Sequence, residues 1–86
     1  MKTHELKTHP QHFAPVQDGT KRVEVRKDDR GFAVGDRLTL REWDPVTAEY
    51  TGRVCEVHVT NVLRGFEGLA PDWVALSIEP LQRALF

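Results

Sequence analysis

Lys21, Glu24 and Arg26 fall in one short stretch, Gly19-Thr20-Lys21-Arg22-Val23-Glu24-Val25-Arg26, and together they suit a site for a polar ligand. The lysine can present an ammonium to a phosphate or a base. The arginine offers a planar fork for bidentate contact with phosphate or a guanine edge. Glu24 shares a strand face with Arg22 and Arg26, so it can orient them or accept a hydrogen bond from a cytosine or adenine amino group. Gly19 permits a tight turn and leaves its own amide and that of Thr20 open to an anion. Arg30, Lys7 and His4 are expected nearby. A Lys–Glu pair in a partly dry cleft can also pass a proton to and from a bound water, which keeps a catalytic role for Lys21 and Glu24 open. A purely structural role is open too, since Glu24–Arg26 pairing can satisfy a half-buried barrel mouth. Such strand pairs contribute only about 0.2–1 kcal/mol when exposed, a weak reason for placing them.

These residues need a frame. Residues 2–8 read as an opening strand anchored by Leu6. A brief helix follows: Thr8 and Gln11 have capping-box spacing, Pro10 suits the first turn, and Phe13 with Val16 forms an apolar edge. Pro15 limits it to one and a half to two turns, and Gly19 supplies a left-handed stop. From Lys21 to Arg26 the alternation is strict, with Val23 and Val25 on one face and Arg22, Glu24 and Arg26 on the other. Turns follow at 28–31 and 35–36. Residues 36–43 alternate with Leu38 and Leu40 inward, 44–52 read as an exposed hairpin loop, and 53–63 form a long strand. Cys55, Val57, Val59 and Leu63 share one side of it. Residues 73–78 close the sheet and bury Val74, Leu76 and Ile78; Phe32 and Val34 read as core. The parity of Trp73 puts it at the rim, and Trp73 or Trp43 can stack a base. Five strands and one short N-terminal helix predict a mainly β, partly closed pseudo-barrel.

With 86 residues there is room for one domain spanning 1–86, with 80–86 either a tail or folded back through Leu81, Leu85 and Phe86. The formal net charge of −1 gives the whole molecule no pull on polyanions, so a nucleic-acid site must be a local patch. Lys21, Arg22, Arg26, Lys27 and Arg30 fall within ten positions and make either such a patch or simply a solvated strand face. No apolar run is long enough to span a bilayer, and Met1-Lys2-Thr3-His4-Glu5 reads as the start of a mature domain. The single Cys55 argues for a reducing, cytoplasmic setting. His4, His9, His12, His58 and Cys55 lack metal-ligand pairing, so neither a metal nor another cofactor is expected.

The motif G-x-K-x-x-E-x-R after a short helix resembles the signature of ASCH domains, relatives of the PUA domains of RNA-modifying proteins. The wider pattern is similar to a small uncharacterised ASCH-like family of bacteria and phages. It includes His4-Glu5-Leu6-Lys7, Phe13, Val16, Lys27-Asp28-Asp29-Arg30, Phe32, Val34-Gly35-Asp36, Asp44-Pro45 and Tyr50-Thr51-Gly52, and covers roughly residues 1–79. The resemblance implies a PUA-like barrel and binding of RNA or a modified nucleoside, with DNA possible. It also implies two enzymatic alternatives. One is an amidohydrolase acting on N4-acetylcytidine, whose lysine Lys21 matches, although Glu24 stands where its threonine would be and Glu79 is a poor match for its glutamate. The other is a ribonuclease using His4 or His9. A protein-binding adaptor of phage–host conflict, working through the Trp43–Gly52 hairpin, is a further alternative.

Overall fold

The computed structural model describes residues 1–81. In chain order it comprises β1 (Thr3–Thr8), α1 (Pro10–Gln17), β2 (Val23–Lys27), β3 (Arg37–Asp44), β4 (Glu49–Leu63) and β5 (Trp73–Pro80). The strands form one sheet in the order β1-β3-β4-β5-β2, parallel between β1 and β3 and antiparallel at the other three pairings. β1 and β2 therefore occupy the two outer positions. Side chains of β2 and of the loop after it nevertheless reach β1: Arg26 donates to the Lys7 carbonyl at 3.0 Å and Arg30 to the Glu5 carbonyl at 2.8 Å. The sheet is curled into a half-barrel whose edges are bridged by two guanidiniums. Such bridging also gives the exposed carbonyls of an edge strand partners.

Alternation places the core inside the curl. Leu6, Leu38, Leu40, Val57, Val59, Val74, Leu76 and Ile78 point inward, and α1 closes one end by seating Phe13 and Val16 against them. The helix starts at Pro10, but its N-cap is His9 with no side-chain cap, so the expected Thr8–Gln11 box does not form. Thr8 instead ends β1, with its backbone in register with β3 and its hydroxyl accepting from Arg26. Gly19 takes φ +85 and ends the helix as anticipated.

Three other expectations are corrected. The 44–52 segment is an exposed hairpin as expected, but its strands run further into it, with Trp43 opposite Tyr50 and Asp44 opposite Glu49, and a register shift accommodates the extra residues around Gly52. A second shift between Val59 and Asn61 inverts the parity of β4, so Val62 packs on the core and Leu63 is exposed. Phe32 is core, but Val34 is 63% exposed. The reason lies in Asp36. Its carboxylate accepts from the amides of Ala33 and Lys2, and its own amide donates to the Ala33 carbonyl, which makes 33–36 a tight turn with Val34 outward. The Leu85 and Phe86 fold-back lies outside the described residues. Among the described residues, no helix is long and apolar enough to cross a membrane.

Asp36 also holds His4, with Nε2 2.8 Å from Oδ2, and the imidazole meets Phe32 edge-on at 4.8 Å. Burial pushes the Asp36 carboxyl up, but its bonds to His4 and the two amides outweigh this and hold it below its usual 3.8. Asp28 is lowered as well, chiefly by the Arg64 hydrogen bond. A depressed carboxyl contributes stability that is present above the unfolded pKa near 3.9 and lost as pH falls through the folded value. Urea unfolding midpoints should therefore fall as pH drops below about 4. Asp36→Ala, which strands the buried His4 ring and two part-buried amides, should cost about 3 kcal/mol at pH 7 and flatten that acid limb. An unaltered acid limb in the variant would remove Asp36 from the account.

Candidate functional site

A cavity of about 520 Å³ opens between the two outer strands, beneath the start of α1. Its walls come from β1 (Leu6, Lys7, Thr8), α1 and its cap (His9, His12), β2, and the following loop with Asp29 and Arg30; Phe32 and Trp73 complete it. Lys7, Lys21, Arg26, Lys27 and Arg30 are among the lining residues with Glu24 and Asp29, although the Lys7 ammonium turns to Trp43. Basic residues thus outnumber acidic ones around the cleft in a chain whose formal net charge is −1.

The strict alternation of β2 is real, and the inward face is the charged one. Val23 and Val25 are 43% and 50% exposed, whereas Glu24 is 4% exposed. An acid can occupy that position because of its partners. Arg26 Nε donates to Glu24 Oε2 at 2.7 Å, and Lys21 Nζ stands 3.5 Å from Oε1. Arg22 is not one of these partners, as its Nε turns back to the Gly19 carbonyl at 3.4 Å. Lys21 is positioned from the helix, its amide donating to the Pro15 carbonyl at 3.0 Å. Among the described residues, Glu24 Oε1 is buried without any hydrogen-bond partner. The 3.5 Å ammonium lies too far off to count as one.

The backbone of β2 adds a further feature. The Arg22 carbonyl accepts from Ile78 and the Asp28 amide donates to Asp72, so even-numbered residues pair with β5. By the two-residue period, the amides and carbonyls of Val23, Val25 and Lys27 face the open edge at the cleft.

Of the residues expected from sequence, Lys21, Glu24, Arg26, Arg30 and Lys7 all line this cavity. Arg26 differs from its expected role. Its fork is already engaged by Glu24, the Lys7 carbonyl and the Thr8 hydroxyl, so it braces the cleft instead of offering a free bidentate face. Gly19, Thr20 and His4 are not part of the lining. The Gly19 amide donates to the Val16 carbonyl and the Thr20 amide to Asp18, both consumed in ending the helix. His4 is buried against Asp36 and Phe32. Glu79 lies on β5 beside His58, at 3.8 Å, away from the cavity.

His12 enters the lining without having been singled out for it, and Lys27 enters it from the basic cluster. His9 and His12 lie three residues apart, but nothing in that spacing tells which way the helix face turns. Trp73 takes the rim position its parity indicated, 40% exposed at the mouth. Trp43 lies elsewhere, packed edge-on against Tyr50 at 4.9 Å with the Lys7 ammonium 4.0 Å over its ring. Cys55 packs beside the core, and burial pushes its thiol up, with Glu56 adding to the effect. No group of three or more His, Cys, Asp or Glu side chains converges among the described residues.

Comparison with known proteins supplies the family. The chain is 46% identical over 61 residues to a protein of Escherichia phage P2 described as an uncharacterized 12.9 kDa protein in the GpA 3′ region; the match covers 71% of this chain and 54% of the phage protein. The chain thus spans about half the length of that curated relative. A family model described as a domain of unknown function, DUF3850, matches residues 3–78, taking in both edge strands, the helix and the whole G-x-K-x-x-E-x-R segment. With most of its length matched in this way, the chain belongs to the DUF3850 family.

Proposed function

We propose that the cleft between β1, α1 and β2 binds nucleic acid, with single-stranded RNA or a modified nucleoside as the preferred ligand and DNA as a possible one. The observation that carries this reading is Glu24 Oε1, buried with no hydrogen bond among the described residues and only the Lys21 ammonium at 3.5 Å, on a residue that lines a cavity rich in lysine and arginine. A buried charged acceptor without a donor costs free energy that a ligand can recover. The surrounding lysines and arginines suit a ligand that also bears phosphate. Trp73 at the mouth adds a ring on which a base can stack. The resemblance of the motif to ASCH and PUA-like domains points the same way, and the lone Cys55 fits a reducing, cytoplasmic setting.

The test is a fluorescence-anisotropy titration of short labelled RNA and DNA against wild type and Lys21→Ala. Saturable binding is expected, with a log–log salt slope of roughly −2 to −3, as three or four phosphate contacts would give. Lys21→Ala should weaken it by about tenfold and make the slope shallower by roughly 0.7. An absence of saturable binding by the wild type would sink the polymer reading.

One observation favours a second reading. Lys21 Nζ and Glu24 Oε1 stand 3.5 Å apart on the cavity wall, in reach of a shared water. A hydrolase of acylated nucleosides such as N4-acetylcytidine would use them as its acid–base pair. Release of cytidine from N4-acetylcytidine, abolished by Lys21→Ala, would establish it.

A further inference from the structure

We infer that Glu24 selects among nucleobases by hydrogen-bond sense, so that the cleft takes a base with an exocyclic amino group and disfavours its keto counterpart. This rests on the nucleic-acid reading and specifies it.

The argument begins with the carboxylate's orientation. Arg26 Nε holds Oε2 at 2.7 Å, and Arg26 is itself tied to β1 through the Lys7 carbonyl and the Thr8 hydroxyl. The carboxylate is therefore clamped, and Oε1, with the Lys21 ammonium at 3.5 Å and no hydrogen bond among the described residues, is left as an acceptor. A ligand can bring the missing donor. A cationic ammonium is disfavoured, because Lys21 and Arg26 already flank the acid. A neutral N–H on a molecule that is otherwise anionic suits both Oε1 and the cationic wall, and an amino-bearing nucleotide has this combination.

Cytosine and adenine carry that amino group at the outer corner of the ring, where it reaches a recessed acceptor first. Uracil and hypoxanthine put a carbonyl oxygen at the same corner, lone pair against lone pair. Guanine presents two adjacent donors and calls for both carboxylate oxygens, one of which Arg26 holds. The free edge of β2 at Val23 and Val25 adds backbone groups within the same wall for the neighbouring ring nitrogen. The cavity volume, about 520 Å³, lies in the range of small-ligand pockets and suits one nucleotide unit.

The clamp also predicts a reversal. In Glu24→Gln, Arg26 Nε can donate only to the amide oxygen, so the amide NH2 must take the place of Oε1. The site would then offer a donor where it had offered an acceptor.

Calorimetric titration with cytidine and uridine 5′-monophosphates, on wild type and Glu24→Gln, tests this directly. Wild type should bind the cytidine nucleotide about tenfold more tightly, and Glu24→Gln should prefer the uridine nucleotide. N4,N4-dimethylcytidine 5′-monophosphate, which lacks the amino hydrogens, should bind wild type as weakly as the uridine nucleotide does, a check that does not depend on the variant folding. Equal wild-type affinity for all three would overturn the selection while leaving nucleotide binding intact. Binding of none of them would overturn both. A folded Glu24→Gln that keeps the cytidine preference would remove Glu24 as its source.

Discussion

Arg26→Ala should destabilise the protein by about 3 kcal/mol, and Glu24→Leu/Arg26→Leu should recover most of that loss. The single variant leaves the Glu24 carboxylate, 4% exposed, without the guanidinium that holds it at 2.7 Å. It also strips the Lys7 carbonyl and Thr8 hydroxyl of their donor and opens the seam between the two outer strands. Removing both charged groups leaves no buried unpaired charge, and apolar side chains on that inward face extend the core. Chemical denaturation of wild type, Glu24→Leu, Arg26→Leu and the double variant, read as a double-mutant cycle, measures the coupling, with Arg26→Ala alongside. If the double variant is as unstable as Arg26→Ala, the cost comes from lost packing and the buried pair is not its origin. Because Arg26 braces the fold, its removal is a poor probe of binding, and Lys21 is the better one.

Phe13→Ala should cost about 3–5 kcal/mol and should also weaken ligand binding. The helix has only Phe13 and Val16 buried, so the phenyl ring is its main anchor on β3 and β4. No ligand is expected to touch it. Its effect on the cleft would run through the backbone: α1 supplies His12 and, by way of the Pro15 carbonyl, fixes the start of the Lys21 segment. Val16→Ala, a smaller truncation on the same face, should lower stability by about 1–2 kcal/mol with a proportionately smaller loss of affinity. Thermal unfolding and RNA titration on the same samples would show whether the two losses move together. A Phe13→Ala protein that remains folded and binds at full strength would uncouple the helix from the site.

Much of the frame was legible in the residues. Period-two alternation placed Leu38, Leu40, Val74, Leu76 and Ile78 inward, and all five are buried. What alternation could not supply was the sense of β2. Val23 and Val25 carry the hydrophobicity, yet the acid faces inward, because its partners Lys21 and Arg26 make burial tolerable. That compensation depends on where the chain folds, which a local pattern does not contain. Leu63 and Val62 exchanged faces for a related reason: one bulged residue inverts every position beyond it, and nothing at 59–61 announces the shift. Val34 failed through Asp36, whose turn is set by bonds to Lys2 and Ala33 from distant and near sequence alike.

The site was readable as a motif and less so as a geometry. Lys21 and Glu24 line the cleft. Gly19 and Thr20, beside them in sequence, spend their amides on ending the helix. His4 has the chemistry of a ligand-binding residue but lies too deep on β1, where Asp36 claims it. His12 became visible only once the sheet had curled and brought its two outer strands face to face.

The most direct test of ligand binding in this cleft is an amide and indole chemical-shift map of the 15N-labelled protein titrated with a short cytidine-rich RNA. Saturable shifts are predicted at residues 21–27, at His9 and His12, and at the Trp73 indole, with the Trp43 indole and residues 44–52 little moved. Shifts confined to the 43–52 hairpin, or none anywhere at saturating RNA, would contradict the account.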